Sequence, residues 1–168
     1  STWNSDWHYS NRVLENVSYN VYFNVKEIVT SNDGLYSIAV FDDNTAMLLE
    51  YNGEDTEVSI PSSIDGYIVT KIGEAFRDNS DLTSIVLPNT IESIEPLAFY
   101  KCFSLTSITT EEGIRYIGDY AFYSCNSLRS IDFHSSLTYI GNYAFYDCDS
   151  LTSITIPASV EEIGNYAF

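Results

Sequence analysis

Apolar positions recur with a fixed 23-residue step along the second part of the chain. Ala-Phe pairs end at Phe76, Phe99, Phe122, Phe145 and Phe168; Leu82, Leu105, Leu128 and Leu151 follow six residues after a Phe, and Ile85, Ile108, Ile131 and Ile154 nine after. Ile94, Ile117, Ile140 and Ile163 stand five before it. A period of this length marks a repeat architecture, in which one unit cannot bury its apolar face alone and must stack on its neighbours. Within a frame, Ile154 and Ile156 alternate with Thr155 and are ended by Pro157. That pattern predicts a short strand with one buried face over 151–157 and, in the other frames, over 82–88, 105–111 and 128–134. Val160 and Ile163 predict a second extended piece, and Gly164-Asn165 a turn. Ala144, Phe145, Cys148 and Leu151 share the spacing of one helical face, which predicts a short helical turn capped by Asp119, Asn142 or Asn165 in the respective frames. The whole reads as a mainly β repeat solenoid.

Ahead of the regular frames, Ile60 to Phe76 spans 16 residues where Ile156 to Phe168 spans 12, so 55–76 reads as a degenerate first repeat with extra residues near Asp65-Gly66-Tyr67. Tyr36 to Phe41 and Thr45 to Tyr51 flank Asp42-Asp43-Asn44 and predict a β-hairpin. Residues 1–54 thus form an N-terminal capping region and 55–168 the solenoid, with 12–30 expected as a strand pair or a strand with a helix. Phe168 falls in mid-repeat with no polar terminal unit after it. That predicts either further chain or a covering molecule, with self-association through this end as one form of it.

The segment Cys148-Asp-Ser-Leu-Thr-Ser-Ile-Thr-Ile-Pro-Ala-Ser-Val-Glu-Glu-Ile-Gly-Asn-Tyr-Ala-Phe168 resembles the BspA-like class of leucine-rich repeats, and the resemblance extends from about Asp55 to the end. It implies right-handed leucine-rich-repeat coils on bacterial or protozoan surfaces, used in adhesion and in protein or matrix binding, and it brings no catalytic residues. Two stretches depart from the pattern: Glu95-Pro96 replaces the Gly118-Asp119 of the next frame, and 109–113 reads Thr-Thr-Glu-Glu-Gly where Pro is usual.

Charge narrows the partners. Acidic residues outnumber basic ones 24 to 7, for a net charge of -17, so phosphate backbones and anionic lipid surfaces are repelled and nucleic-acid binding is excluded in practice. No apolar run is long enough to span a membrane. The chain starts at Ser1 rather than Met, so its own beginning says nothing about export. Cys102, Cys125 and Cys148 lie in one inward column and read as inert buried thiols; their odd number and wide spacing disfavour both disulfides and zinc. No nucleophile elbow, phosphate-cradling glycine loop or paired-His motif is present, and no cofactor is implied. His8, beside Trp7 and near Trp3, reads as a surface residue, and Asn16-Val-Ser18 matches a glycosylation acceptor that matters only in a eukaryotic secretory route.

Outward positions carry what remains. Thr109, Glu111, Arg129, Asp132 and His134 break the pattern of the neighbouring frames and fall on two adjacent coils. They read as a partner-binding patch, as a divalent-metal site, or as a solvated face free to drift. Tyrosines also run in columns: Tyr100, Tyr123 and Tyr146; Tyr120, Tyr143 and Tyr166; Tyr116 and Tyr139. Exposed rows of rings offer rigid amphipathic contact area, with Tyr120 and Tyr143 as candidate contacts, unless they only line the flank. The expectation is a noncatalytic, secreted or cell-surface recognition module for a protein or glycan. The alternative is an accessory or spacer domain of a larger exported enzyme or scaffolded complex.

Overall fold

The structure, a computed structural model, describes residues 25–168. Trp3, Trp7, His8, the Asn16-Val-Ser18 acceptor and residues 12–24 of the expected extra strand pair lie outside the described residues; 25–30 is a strand.

Three antiparallel or hairpin-linked strands open the described chain: β1 (Val25–Thr30), β2 (Tyr36–Phe41) and β3 (Thr45–Tyr51). The hairpin of β2 and β3 matches its expected limits, and Asn44 takes the left-handed conformation at its tip. After β4 (Glu57–Ser59), the extra residues of the degenerate repeat fold into a second tight hairpin, β5 (Ser63–Ile64) with β6 (Tyr67–Ile72). Asp65 and Gly66 both have positive φ at its two-residue loop, the arrangement that suits the twist of a short hairpin. The regular coils then add β7 (Ser84–Val86), β8 (Ser93–Ile94), β9 (Ser107–Thr109), β10 (Tyr116–Ile117), β11 (Tyr139–Ile140) and β12 (Glu162–Ile163).

Each coil has three sides. One is the long sheet β1-β2-β3-β6-β8-β10-β11-β12, parallel from β3 onward, so the hairpin closes the edge of the stack by direct pairing of β3 with β6. In it Ile72, Ile94, Ile117, Ile140 and Ile163 are in register, facing inward, while Lys71, Ser93, Tyr116, Tyr139 and Glu162 alternate with them. The second side is the shorter parallel sheet β4-β7-β9. It reaches the next coil only as an isolated bridge, Ser107 to Ser130, and residues 151–157 form no strand. Local chemistry explains the fading. Leu87 N–H donates to the Thr109 carbonyl at 2.9 Å, but one coil on, the Asp132 carbonyl is taken by the Thr110 hydroxyl at 2.8 Å, and the His134 ring takes the Thr110 carbonyl. Side chains have replaced the backbone ladder.

The third side corrects the expected helical turns. No helix occurs among the described residues; the Ala-Phe segment is two successive tight turns. Its amides alternate: Ala98, Tyr100 and Cys102 donate to Glu95, Leu97 and Phe99 within the coil, whereas Leu97, Phe99 and Lys101 donate to Asp119, Ala121 and Tyr123 of the next coil at 2.8–3.1 Å. A helix would keep all of these bonds local. Left-handed residues at Leu97, Lys101, Tyr120, Ser124, Tyr143 and Asp147 turn every second N–H outward to the neighbour.

Inside, Phe76, Phe99, Phe122, Phe145 and Phe168 stack face to face with centroids 5.0–5.5 Å apart. The column continues into the cap through Tyr51, 5.5 Å from Phe76, and Tyr36, 5.7 Å from Tyr51. Tyr51 ends the apolar run with a polar tip, donating to Asp55 Oδ2 at 2.8 Å. The cysteine column lies beside the spine, and each thiol donates to the Phe carbonyl of the preceding coil, Cys102 to Phe76, Cys125 to Phe99 and Cys148 to Phe122, at 3.0–3.1 Å. All three are buried free thiols, and burial pushes their ionisation up, to about 12 for Cys102 and Cys148.

Glycine at one corner sets how closely coils approach. A Cβ on Gly118 would lie 2.4 Å from Pro96 N, and one on Gly141 2.5 Å from Asp119 N. Glu95 occupies this corner in the preceding coil. Its buried carboxylate accepts from the Ser93 hydroxyl at 2.6 Å, with Lys71 Nζ 3.8 Å away, and burial raises its pKa against the opposing pull of Ser93 and Lys71.

Candidate recognition surface

The sequence-derived positions fall on two different parts of the coil. Asp132 and His134 meet the preceding coil through Thr110, which lies between Thr109 and Glu111 in the chain: the Thr110 hydroxyl donates to the Asp132 carbonyl, and His134 Nε2 lies 3.0 Å from the Thr110 carbonyl. Because a carbonyl oxygen only accepts, Nε2 is the donor in this contact. Arg129 stands at the start of the same side, where its N–H donates to the Thr106 carbonyl at 3.3 Å. Glu111, Arg129 and Asp132 are exposed and His134 half-buried. Among the described residues, no three His, Cys, Asp or Glu side chains are grouped so as to hold a metal ion.

Tyr120 and Tyr143 lie elsewhere, on the turn side, within a larger array. Tyr120, Tyr143 and Tyr166 stack with centroids 5.0 and 5.1 Å apart, and Tyr100, Tyr123 and Tyr146 run alongside at 5.2 and 5.5 Å. The rows touch each other: Tyr120 meets Tyr123 at 5.6 Å and Tyr143 meets Tyr146 at 5.5 Å. Six rings therefore form one terrace. Its pitch is that of the coils, because the αL conformation of Tyr120, Tyr143 and Tyr166, with φ of 54–58°, holds the same backbone in each frame. Left-handed geometry costs a bulky residue about 1–2 kcal/mol, which the cross-coil hydrogen bonds at Tyr120 N and Tyr143 N offset. Tyr120, Tyr146 and Tyr166 remain 36%, 39% and 67% exposed. Partial burial and the neighbouring Tyr143 and Asp119 raise the pKa of the Tyr120 hydroxyl.

Two cations border the terrace that frame-by-frame reading overlooked. The Arg77 guanidinium lies 5.7 Å and the Lys101 ammonium 5.2 Å from the Tyr100 ring centroid. Arg77 stands 23 residues before Tyr100, so it continues that row by phase. Its guanidinium also donates to Glu74 at 2.7 Å, and burial of Glu74 fixes it there. Nearby, Tyr51, Asn52, Glu74, Arg77 and Asp78 line an open cleft of about 420 Å³ between the cap and the first coil.

Parallel coils of fixed period, with one Phe spine inside and side-chain rows outside, define the leucine-rich-repeat solenoid. The chain belongs to the BspA-type leucine-rich repeat family, whose pattern matches residues 51–168 in six copies. Among solved structures it is similar to the T. pallidum leucine-rich repeat protein TpLRR, with 33% identity and a TM-score of 0.78 over 83% of this chain and 66% of that one. A leucine-rich cell surface protein from Faecalibacterium prausnitzii matches at 28% identity and a TM-score of 0.65, over 86% of this chain and 46% of that one. The pneumococcal vaccine antigen PcpA shares the fold at 23% identity, with a TM-score of 0.63, over 81% of this chain and 39% of that one. Comparison with curated proteins gives no match. The chain thus spans about two thirds or less of the length of these neighbours. Among the described residues, no helix is long and apolar enough to cross a membrane.

Proposed function

We propose that the chain is a noncatalytic recognition module, secreted or displayed at a cell surface, that binds a partner through its outward side-chain rows. The observation that carries this reading is the terrace of six stacked tyrosines, partly exposed on a rigid repeat scaffold. Such rings give large contact area with little rotamer entropy to lose on binding. Membership in a repeat family and similarity to a protein described as a cell surface protein support an extracellular setting. The corner of Thr109, Glu111, Arg129, Asp132 and His134 is a second contact zone, and residues 1–54 serve as cap. An array of glycans and matrix proteins probed with the purified chain tests the reading. Retention of at least one protein or glycan, reduced in a variant with Tyr120 and Tyr143 both changed to Ser, is expected. Retention of none, or turnover of an arrayed compound, would contradict it.

A further inference from the structure

On the turn side every second carbonyl faces the preceding coil and accepts an amide from it. Phe76 N–H donates to the Ala98 carbonyl at 3.3 Å and Asp78 N–H to that of Tyr100 at 2.8 Å. Phe99 and Lys101 serve Ala121 and Tyr123 in the same way, and Phe122 and Ser124 serve Ala144 and Tyr146, at 2.7–2.9 Å. The carbonyls in phase with these on the first coil are those of Ala75 and Arg77, which stand 23 residues before Ala98 and Tyr100. Neither accepts a hydrogen bond from any described residue. The cap supplies only half of a preceding coil here. The Tyr51 ring takes the Phe place, 5.5 Å from Phe76, but the Tyr51 backbone pairs with Tyr36 across the hairpin, so no amide reaches the two carbonyls. In front of them lies the cleft of about 420 Å³ between Tyr51-Asn52 and the Ala75–Asp78 turn.

We infer that this cleft docks a peptide segment of a partner protein, whose main-chain amides at positions i and i+2 donate to the Ala75 and Arg77 carbonyls in the place of a preceding coil. A backbone fills the same pair of acceptors at each junction that follows, so the chain itself shows which chemistry they take. Main-chain bonds of this kind give affinity, and the side chains between them give specificity. Phase assigns those side chains. Residue i is small, because Tyr51 already occupies the ring position against Phe76. Residue i+1 falls in phase with Arg77 and Tyr100, so an aromatic ring there meets the face of the Arg77 guanidinium turned away from Tyr100. Residue i+2 falls in phase with Asp78, with Glu50 on the same rim, which favours a basic side chain. The cleft has the volume of an ordinary ligand site. It adds a second site to the terrace of the reading above, and the two can be occupied, or fail, separately.

The test is a nitrogen-15 NMR titration of the full chain with the peptide acetyl-Leu-Ala-Ala-Tyr-Lys-Gly-amide, which follows Leu97–Lys101 with Ala in the place of Phe99. The amide nitrogens of Phe76 and Asp78 report on the carbonyls before them, and both should shift together and saturably. A twin peptide, N-methylated at its second Ala and at Lys, keeps every side chain but loses both donors, and should bind about tenfold more weakly. Glu50→Lys, an exposed change, should weaken the parent peptide about two- to fivefold. Equal binding by the twin, or saturable shifts on the tyrosine terrace with Phe76 and Asp78 still, overturns the inference. No shift at all, with a partner still retained on the array, overturns it and leaves the terrace reading in place. Shifts at Phe76 and Asp78 with an empty array uphold the cleft and remove the terrace; silence in both removes both.

Discussion

Phe122→Ala probes the spine at its best-packed point. The ring is fully buried and lies between Phe99 and Phe145, at 5.1 and 5.0 Å, nearly parallel to both. Losing the buried side chain costs about 1.5–3 kcal/mol in transfer free energy. The two stacked pairs add about 0.5–1.5 kcal/mol each. The sum agrees with the roughly 3–5 kcal/mol typical of buried Phe→Ala changes that leave a cavity. Phe168 sits in the same column but is 51% exposed and stacks on Phe145 alone, so Phe168→Ala should cost only about 1–2 kcal/mol. Urea unfolding of both variants, followed by circular dichroism, reads the difference directly, provided the m-values agree with that of the parent. A loss below about 1 kcal/mol for Phe122→Ala, or equal losses at the two positions, would refute a spine whose strength comes from stacking on both sides.

Three further outcomes follow from the packing. Gly141→Ala should destabilise by about 1–3 kcal/mol or more, because its Cβ meets the Gly118-Asp119 backbone of the preceding coil; stabilisation, as at an unconstrained glycine, would contradict the corner contact in thermal or urea unfolding. The three thiols should resist a thiol reagent in the native state at pH 8 and all react on unfolding. Because Cys102 and Cys148 ionise near 12 in the fold against 9.0 for a solvated thiol, their share of stability is complete below pH 9 and is lost as pH rises from 9 toward 12; stability that holds flat across that range opposes the reasoning. Glu95→Gln should stabilise at neutral pH, since burial raises the Glu95 pKa and charging it opposes folding. That gain should vanish below about pH 4.5, where Glu95 is protonated in both states, and a gain independent of pH in parallel urea titrations would argue against it.

The 23-residue step was enough to read the spine, the cysteine column and the inward isoleucines, because apolar burial alone fixes those positions. The hairpin was equally legible from Asp42-Asp43-Asn44 between two apolar runs, since turn chemistry is local. What stayed hidden depends on neighbours in space. Helical spacing at Ala144, Phe145, Cys148 and Leu151 was real, yet it arises from two tight turns whose alternate amides serve the next coil, and no single frame records where an N–H points. The strand expected at 128–134 fails because Thr110 and His134 intercept the ladder, a competition between side chain and backbone across coils. Tyr51 and Tyr36 join the Phe spine from outside the period. Arg77 is in phase with Tyr100 but differs in chemistry, so a search for like residues passes it by.

Function is placed here on tyrosine rows built by coil stacking, and ring-labelled tyrosine NMR tests that placement most directly. On titration with a protein or glycan that the array retains, the ring resonances of Tyr120, Tyr143 and Tyr146 should shift together and saturably, while those of Tyr36 and Tyr51 in the cap stay fixed. Shifts confined to the cap, or borne instead by the His134 ring with the terrace silent, would contradict it.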